Sequence, residues 1–195
     1  RAVKQLEALD AKAAAFSADL ADPAAARRLV AAAARALGGL DVLVNNAALF
    51  ERTPFLAATR AQYDRLLDVN LRGAFFASQA AAHAMGRRGS HIVNIGDAGA
   101  DRAWPNYIPY TVSKAGLAAL TRGLAAALRP RGVAVNCVAP GPVLRPPGLP
   151  RARWNRLTRG GKASAEDVAA AVVYFATCPR HVTGRILAVD GGTRA

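Results

Sequence analysis

The most constraining feature of this chain is an alternation. Short uncharged runs rich in β-branched residues stand at Val42-Leu43-Val44, Ile92-Val93-Asn94-Ile95, Val133 to Val138 and Ile186 to Val189. Long alanine-rich segments with helical start and stop signals separate them. A strand that is apolar at successive positions is covered on both faces, the condition of a parallel sheet between two layers of helices. Connections of this length make crossovers rather than hairpins. The expected fold is therefore α/β, a doubly wound parallel sheet, in a single domain over residues 1–195.

Local signals place the elements. Arg1 to Leu9 reads as the last turns of a helix, and Lys12 to Ala18 as a strand ending at Asp19-Leu20. Asp22 is an N-cap before Pro23, and Gly38-Gly39 stops that helix after Leu37. Thr59 and Gln62 form a capping-box pattern for a helix that carries Val69-Asn70 and reaches Met85. Gly86 to Ser90 is a turn. A helix containing Tyr110 runs to about Leu128, where Pro130 prevents extension. Residues 144–163 are rich in Pro, Gly and Arg and read as a lid. Ser164 caps a helix to about Ala176.

Composition excludes several classes. No run of 18 apolar residues exists, so no membrane span is expected. Cys137 and Cys178 lack a CxxC arrangement and read as buried free thiols of a cytoplasmic protein. His83, His91 and His181 have no ligand-like spacing, so no metal is expected. The net charge of +13 is carried mostly by arginine, scattered without interleaved aromatics, which argues against nucleic acid. One local run stands out: Arg145 to Lys162 holds six cations and no acid, and could attract an anionic cofactor or substrate.

The chemistry centres on Ile92 to Lys114. Gly96 ends the strand, and Asp97 sits just past its C-terminal end, the edge at which open α/β sheets bind ligands. Tyr110 and Lys114 are four apart and share one helical face. An ammonium beside a phenol lowers the phenol's pKa, which suits a proton donor or acceptor. Taken alone, the pair also reads as an ordinary exposed pair, and the lesser alternative for Asp97 is a loop cap.

Tyr110-Thr-Val-Ser-Lys114 matches the Tyr-x-x-x-Lys signature of the short-chain dehydrogenase/reductase family, which the chain resembles over nearly its whole length. Asn45-Asn46-Ala47, with Ala48 in place of a glycine, matches the Asn-Asn-Ala-Gly motif. Asn70, Pro140-Gly141 and Val189-Asp190-Gly191-Gly192 match further family positions in order. The resemblance implies a Rossmann-like sheet and a nicotinamide cofactor, NADPH, with NAD not excluded. It implies cofactor contacts from Asp19, Leu20, Asn46, Ala47, Ala48, Asn70, Ile95, Tyr110, Lys114, Pro140, Gly141 and Val143. In it Tyr110 donates a proton, Lys114 holds the nicotinamide ribose, and Asn70 supports a relaying water. The long helices Thr59–Met85 and Tyr107–Leu128, with Ala80, Ala81, Ala118 and Ala119 on their outer faces, imply a homodimer or homotetramer.

A serine usually stands thirteen residues before the family's tyrosine, where this chain has Asp97. That aspartate resembles the pteridine reductase branch, with Phe50 stacking on a flat pterin and Tyr107 lining the substrate site. A carboxyl group near the phenol can relay the proton that a C=N nitrogen gains when its carbon gains hydride. Alternatives are a generic 3-oxoacyl-thioester or carbonyl reductase and, in another class, a non-catalytic assembly module. The family's Gly-rich turn is not found before Asp19. The expectation is an N-terminally truncated domain lacking the first βαβ portion, on the order of 50 residues. The family's strand order, 3-2-1-4-5-6-7, would then leave the Lys12 strand apart from the Val42 strand.

Overall fold

The computed structural model describes residues 2–86, 89–145, 149–159 and 161–192. Its helices are α1 (Ala2–Glu7), α2 (Pro23–Leu37), α3 (Arg60–Leu67), α4 (Gly73–Ala84), α5 (Ile108–Leu128), α6 (Arg151–Leu157) and α7 (Ala165–Thr177). Its strands are β1 (Val42–Asn45), β2 (His91–Ile95), β3 (Ala134–Pro140) and β4 (Ile186–Val189). They form one parallel sheet in the order β1-β2-β3-β4, with Val44 beside Val93 and Ile95 beside Val138. All four C-terminal ends therefore open on one edge.

Both faces of the sheet are covered, as the apolar runs require. Ile92 and Val135 face Val30 of α2, Ala77 and Ala81 of α4 and Ala125 of α5. Val93 and Val138 point the other way, onto Phe175 of α7 and Cys178. Each such large apolar side chain contributes about 1.5–3 kcal/mol on burial. The caps form as the residues dictate. Asp22 accepts from the Ala24 amide, and Gly38 ends α2 at φ 84°, where a side chain would be strained. Thr59–Gln62 and Ser164–Asp167 both close capping boxes.

Three expectations need correction. Residues 12–18 form no strand and pair with no ladder among the described residues, and β1 stands at the sheet edge with Val44 40% exposed. The helix from Thr59 runs unbroken to Ala84 but is not regular α-helix throughout: a π-helical turn, Asp68–Arg72, joins α3 to α4. Ala81 is not on an outer face but fully buried against α2, while Phe75 and Val112 are the exposed apolar residues of α4 and α5. Arg87 and Arg88 of the expected 86–90 turn, and 146–148 and 160 of the expected lid, lie outside the described residues.

Gly96 sets how closely β2 and β3 approach at the open edge. A Cβ there would stand 2.7 Å from the Cys137 sulfur, which is fully buried. Gly96→Ala is expected to cost about 1–3 kcal/mol as overpacking. The check is a lowered denaturant midpoint at unchanged slope.

Candidate functional site

The loops after β2 and β3 and helices α5, α6 and α7 enclose a cavity of about 1230 Å³ at the open edge of the sheet. Asp97 reaches it because Gly96 ends β2 there: the Gly96 amide bonds Val138 O and the Ala98 amide Pro140 O, carrying the ladder just past the strand. The Gly99 amide donates to Asp97 Oδ1 at 2.6 Å, a tight local turn that fixes the carboxyl group. The Tyr110 hydroxyl donates to Asp97 Oδ2, also at 2.6 Å. The two groups singled out from spacing are thus in direct contact, with no bridging water needed.

Electrostatics at this pair differ from expectation. Burial, then the charge and hydrogen bond of Asp97, push the Tyr110 phenol far above its ordinary value. The expected lowering by Lys114 does not operate here. The Lys114 ammonium instead donates to the Ile95 carbonyl at 2.7 Å, and burial lowers its own pKa. The phenol is therefore a proton donor at neutral pH rather than a base.

Asn70, at 2% exposure, works as a clamp. Its Oδ1 accepts from the Leu49 amide at 2.7 Å. Its Nδ2 donates to Leu49 O at 2.9 Å and to Ser113 Oγ at 3.0 Å. Ser113 in turn donates to the Tyr110 carbonyl. One side chain thus fixes the chain just before Phe50 and the helical turn carrying Tyr110. Both N–H groups of its amide are committed to these bonds, while Oδ1 keeps a second lone pair.

Phe50 does not offer an open face on both sides. Tyr107 stacks on it at 4.7 Å and 11°, while Tyr110 meets it edge-to-face at 4.8 Å. Trp104 packs edge-on against both Phe50 and Tyr107. The loop carrying Phe50 is tied down by the Thr53 amide, which donates to Asn106 O at 2.7 Å. The result is an aromatic box beside the Tyr110 hydroxyl, with Phe50 44% exposed.

Of the expected cofactor residues, Asn46, Ala48, Ile95, Tyr110, Lys114, Pro140, Gly141 and Val143 all line this one cavity. Asp19, Leu20, Ala47 and Asn70 do not. Asp19 turns back on the Ala21 amide, and Leu20 packs where Gly73 leaves room for it. At Gly141 a Cβ would meet Asp190 Cβ at 2.7 Å, so the backbone alone can pass there. The residues present fit the nicotinamide end of a dinucleotide: backbone turns at Gly96 and Gly141 with no room for a side chain, and a buried ammonium, Lys114, in the same wall. Cavity residues that sequence spacing missed are Arg102, Trp104, Arg153, Trp154 and Leu157. Only the run of cations before Lys162 signalled any of them.

A family model described as enoyl-(acyl carrier protein) reductase matches residues 1–194. An L-rhamnose 1-dehydrogenase (NAD(P)(+)) of Azotobacter vinelandii is 36% identical over 200 residues, covering 97% of this chain and 78% of that protein. A blue fluorescent protein from a metagenomic library, solved with NADPH, superposes with a TM-score of 0.91 at 39% identity, covering 99% of this chain and 81% of that one. A short chain dehydrogenase from Burkholderia cenocepacia J2315, solved with NADP, gives 0.90, also at 39% identity, with the same coverage of 99% and 81%.

Proposed function

Since the chain belongs to the short-chain dehydrogenase/reductase family of NAD(P)-dependent oxidoreductases, we propose that it reduces a C=N bond of a pterin-like ring with NADPH. The observation that carries this reading is the Tyr110–Asp97 contact beside the aromatic box. When bound, NADPH supplies the hydride. Every other task falls to the chain. Asn46, Ala48, Pro140, Gly141 and Val143 would hold the nicotinamide end, and Lys114 would take its ribose hydroxyls.

The proton inventory explains the carboxyl group. In the observed geometry the single proton of Tyr110 is spent on Asp97 Oδ2. The carboxyl group relays a proton from solvent to the ring nitrogen, directly or through the Tyr110 oxygen, as the carbon gains the hydride. One hydride and one proton are added, and the pair ends as it began. Phe50 and Trp104 present apolar faces and edges against which a flat heterocycle packs.

A second reading, reduction of a 3-oxoacyl thioester, is favoured by the cationic run that includes Arg153 of the cavity wall. The deciding measurement is NADPH oxidation with dihydrobiopterin against an acetoacetyl thioester. Preference for the pterin by at least tenfold in kcat/KM supports the first reading, and the reverse preference installs the second.

We further infer a homodimer or homotetramer. Phe75 and Val112 are 41% and 44% exposed on α4 and α5, and Ala119 is exposed beside them, a surface poor in charge. The expected result is a dimer or larger by light scattering at micromolar concentration. A single monomeric species would contradict it.

A further inference from the structure

Charge is distributed very unevenly along this chain. From Arg102 to Ala165 there is no Asp or Glu in 64 residues, while eleven are Lys or Arg. This acid-free stretch supplies much of the cavity: the end of the Asp97 loop, α5, the turn after β3 and α6. Among the described residues the sole acid in the cavity wall is Asp97, whose two oxygens accept from Gly99 and Tyr110. Three cations share that wall. Lys114 is buried and turned onto Ile95 O. The other two, Arg102 and Arg153, come from separate parts of the chain, one after β2 and one on α6.

The placement of Arg153 is specific. On α6, Arg153, Trp154 and Leu157 line the cavity, and they fall on one helical face. Arg151 and Arg156, which point elsewhere, do not line it. Arg153 is exposed and makes no ion pair with a described residue, whereas Arg28, Arg60, Arg65 and Arg72 are all paired with carboxylates. The apolar floor and aromatic box take a flat, poorly charged head group. Arg153 offers a guanidinium group whose planar fork matches an oxyanion.

We propose that the substrate is amphipathic, with a planar reducible head seated by Phe50 and Trp104 and an anionic tail, carboxylate or phosphate, held by Arg153, with Arg102 adding positive charge to the same wall. The inference rests on the reductase reading but not on the ring being a pterin. A cation at a cavity mouth surrounded by low-dielectric walls attracts an anion more strongly than one on an open surface. Arg153 and Arg102 are thus specificity residues that act on binding, away from the Tyr110 hydroxyl.

The test uses one reacting ketone with and without charge: the para-acetyl derivative of phenylbutyrate and its methyl ester. Reduction is followed with NADPH in the unmodified chain, in Arg102→Gln/Arg153→Gln and in Arg102→Lys/Arg153→Lys. In the unmodified chain the ester KM is expected to exceed the acid KM by about tenfold, the scale of one charge-assisted contact. That ratio collapses toward one in the glutamine pair and is partly kept in the lysine pair. If turnover of both ketones is too slow to follow, quenching of Trp104 and Trp154, which both line the cavity, reads the same ratio as dissociation constants. Para-acetylphenyl phosphate beside para-acetylanisole shows whether a phosphate gives the larger ratio. Equal constants for acid and ester in the unmodified chain, or a ratio that survives the glutamine pair, overturn the proposal. Failure of dihydrobiopterin with a preserved acid-to-ester ratio removes the pterin ring and leaves the anionic tail standing.

Discussion

Tyr110→Phe is expected to lower kcat for every reducible substrate by about two to four powers of ten, the usual contribution of a positioned general acid. KM should move little, because the lost group acts on the transition state rather than on ground-state binding. The substitution removes one oxygen and leaves the ring where it is, edge-on against Phe50. Stability should fall by only about 1 kcal/mol, the net value of a single hydrogen bond. Asp97 retains the Gly99 amide, and its half-buried position lets water replace the lost donor. Thermal unfolding and kcat are therefore separable readouts. A loss below tenfold, with the parent chain active, would remove Tyr110 from proton transfer. A parent chain that binds no nicotinamide at all would favour the assembly-module reading.

How much of this was legible in the sequence depends on whether a local residue or a distant partner decides. Strands β2 and β3 were readable because successive apolar residues needed cover on both faces, and Ile92 and Val93 found it on opposite sides. The caps at Asp22, Thr59 and Ser164 were readable because the partner of each lies within three residues. Asp97 and Tyr110 were brought together by a strand end and a helix start that spacing could place. The Lys12–Ala18 run failed because a strand exists only with a neighbour, and its own residues cannot supply one. Ala81 was misplaced because alanine marks neither face of a helix, and only the approach of α2 decides that it is inside. The π-helical turn gave no signal: the three bonds of Asn70 to Leu49 and Ser113 reach across 21 and 43 residues. The direction of the Tyr110 shift was misread for a similar reason. The helical neighbour Lys114 was visible in the sequence, but its turn onto Ile95 O and the depth of burial were not.

Asp97→Ser tests that direction and the carboxyl chemistry together. Serine keeps a small polar group at the start of the loop, so the fold should survive. Reduction of a pterin should fall by about two to four powers of ten if the carboxyl group supplies a proton to nitrogen. Reduction of an activated ketone should fall by less than about tenfold, since a hydroxyl still polarises an oxygen. The pH dependence moves independently of either rate. Oxidation of an alcohol needs the Tyr110 phenolate, and in the parent chain burial and then Asp97 hold the phenol above its ordinary value. The oxidative rate must therefore climb on the alkaline side. Removing the carboxylate leaves the burial contribution and deletes the other two, so the phenol's pKa falls. The rising limb of the oxidation profile then shifts to lower pH, and at a fixed mildly alkaline pH the oxidation-to-reduction ratio increases. An unmoved limb means that the Asp97 charge does not act on Tyr110 in the working enzyme. Equal losses on pterin and ketone make Asp97 a loop-forming residue, through its bond to the Gly99 amide, and transfer the lead to the carbonyl reductase reading.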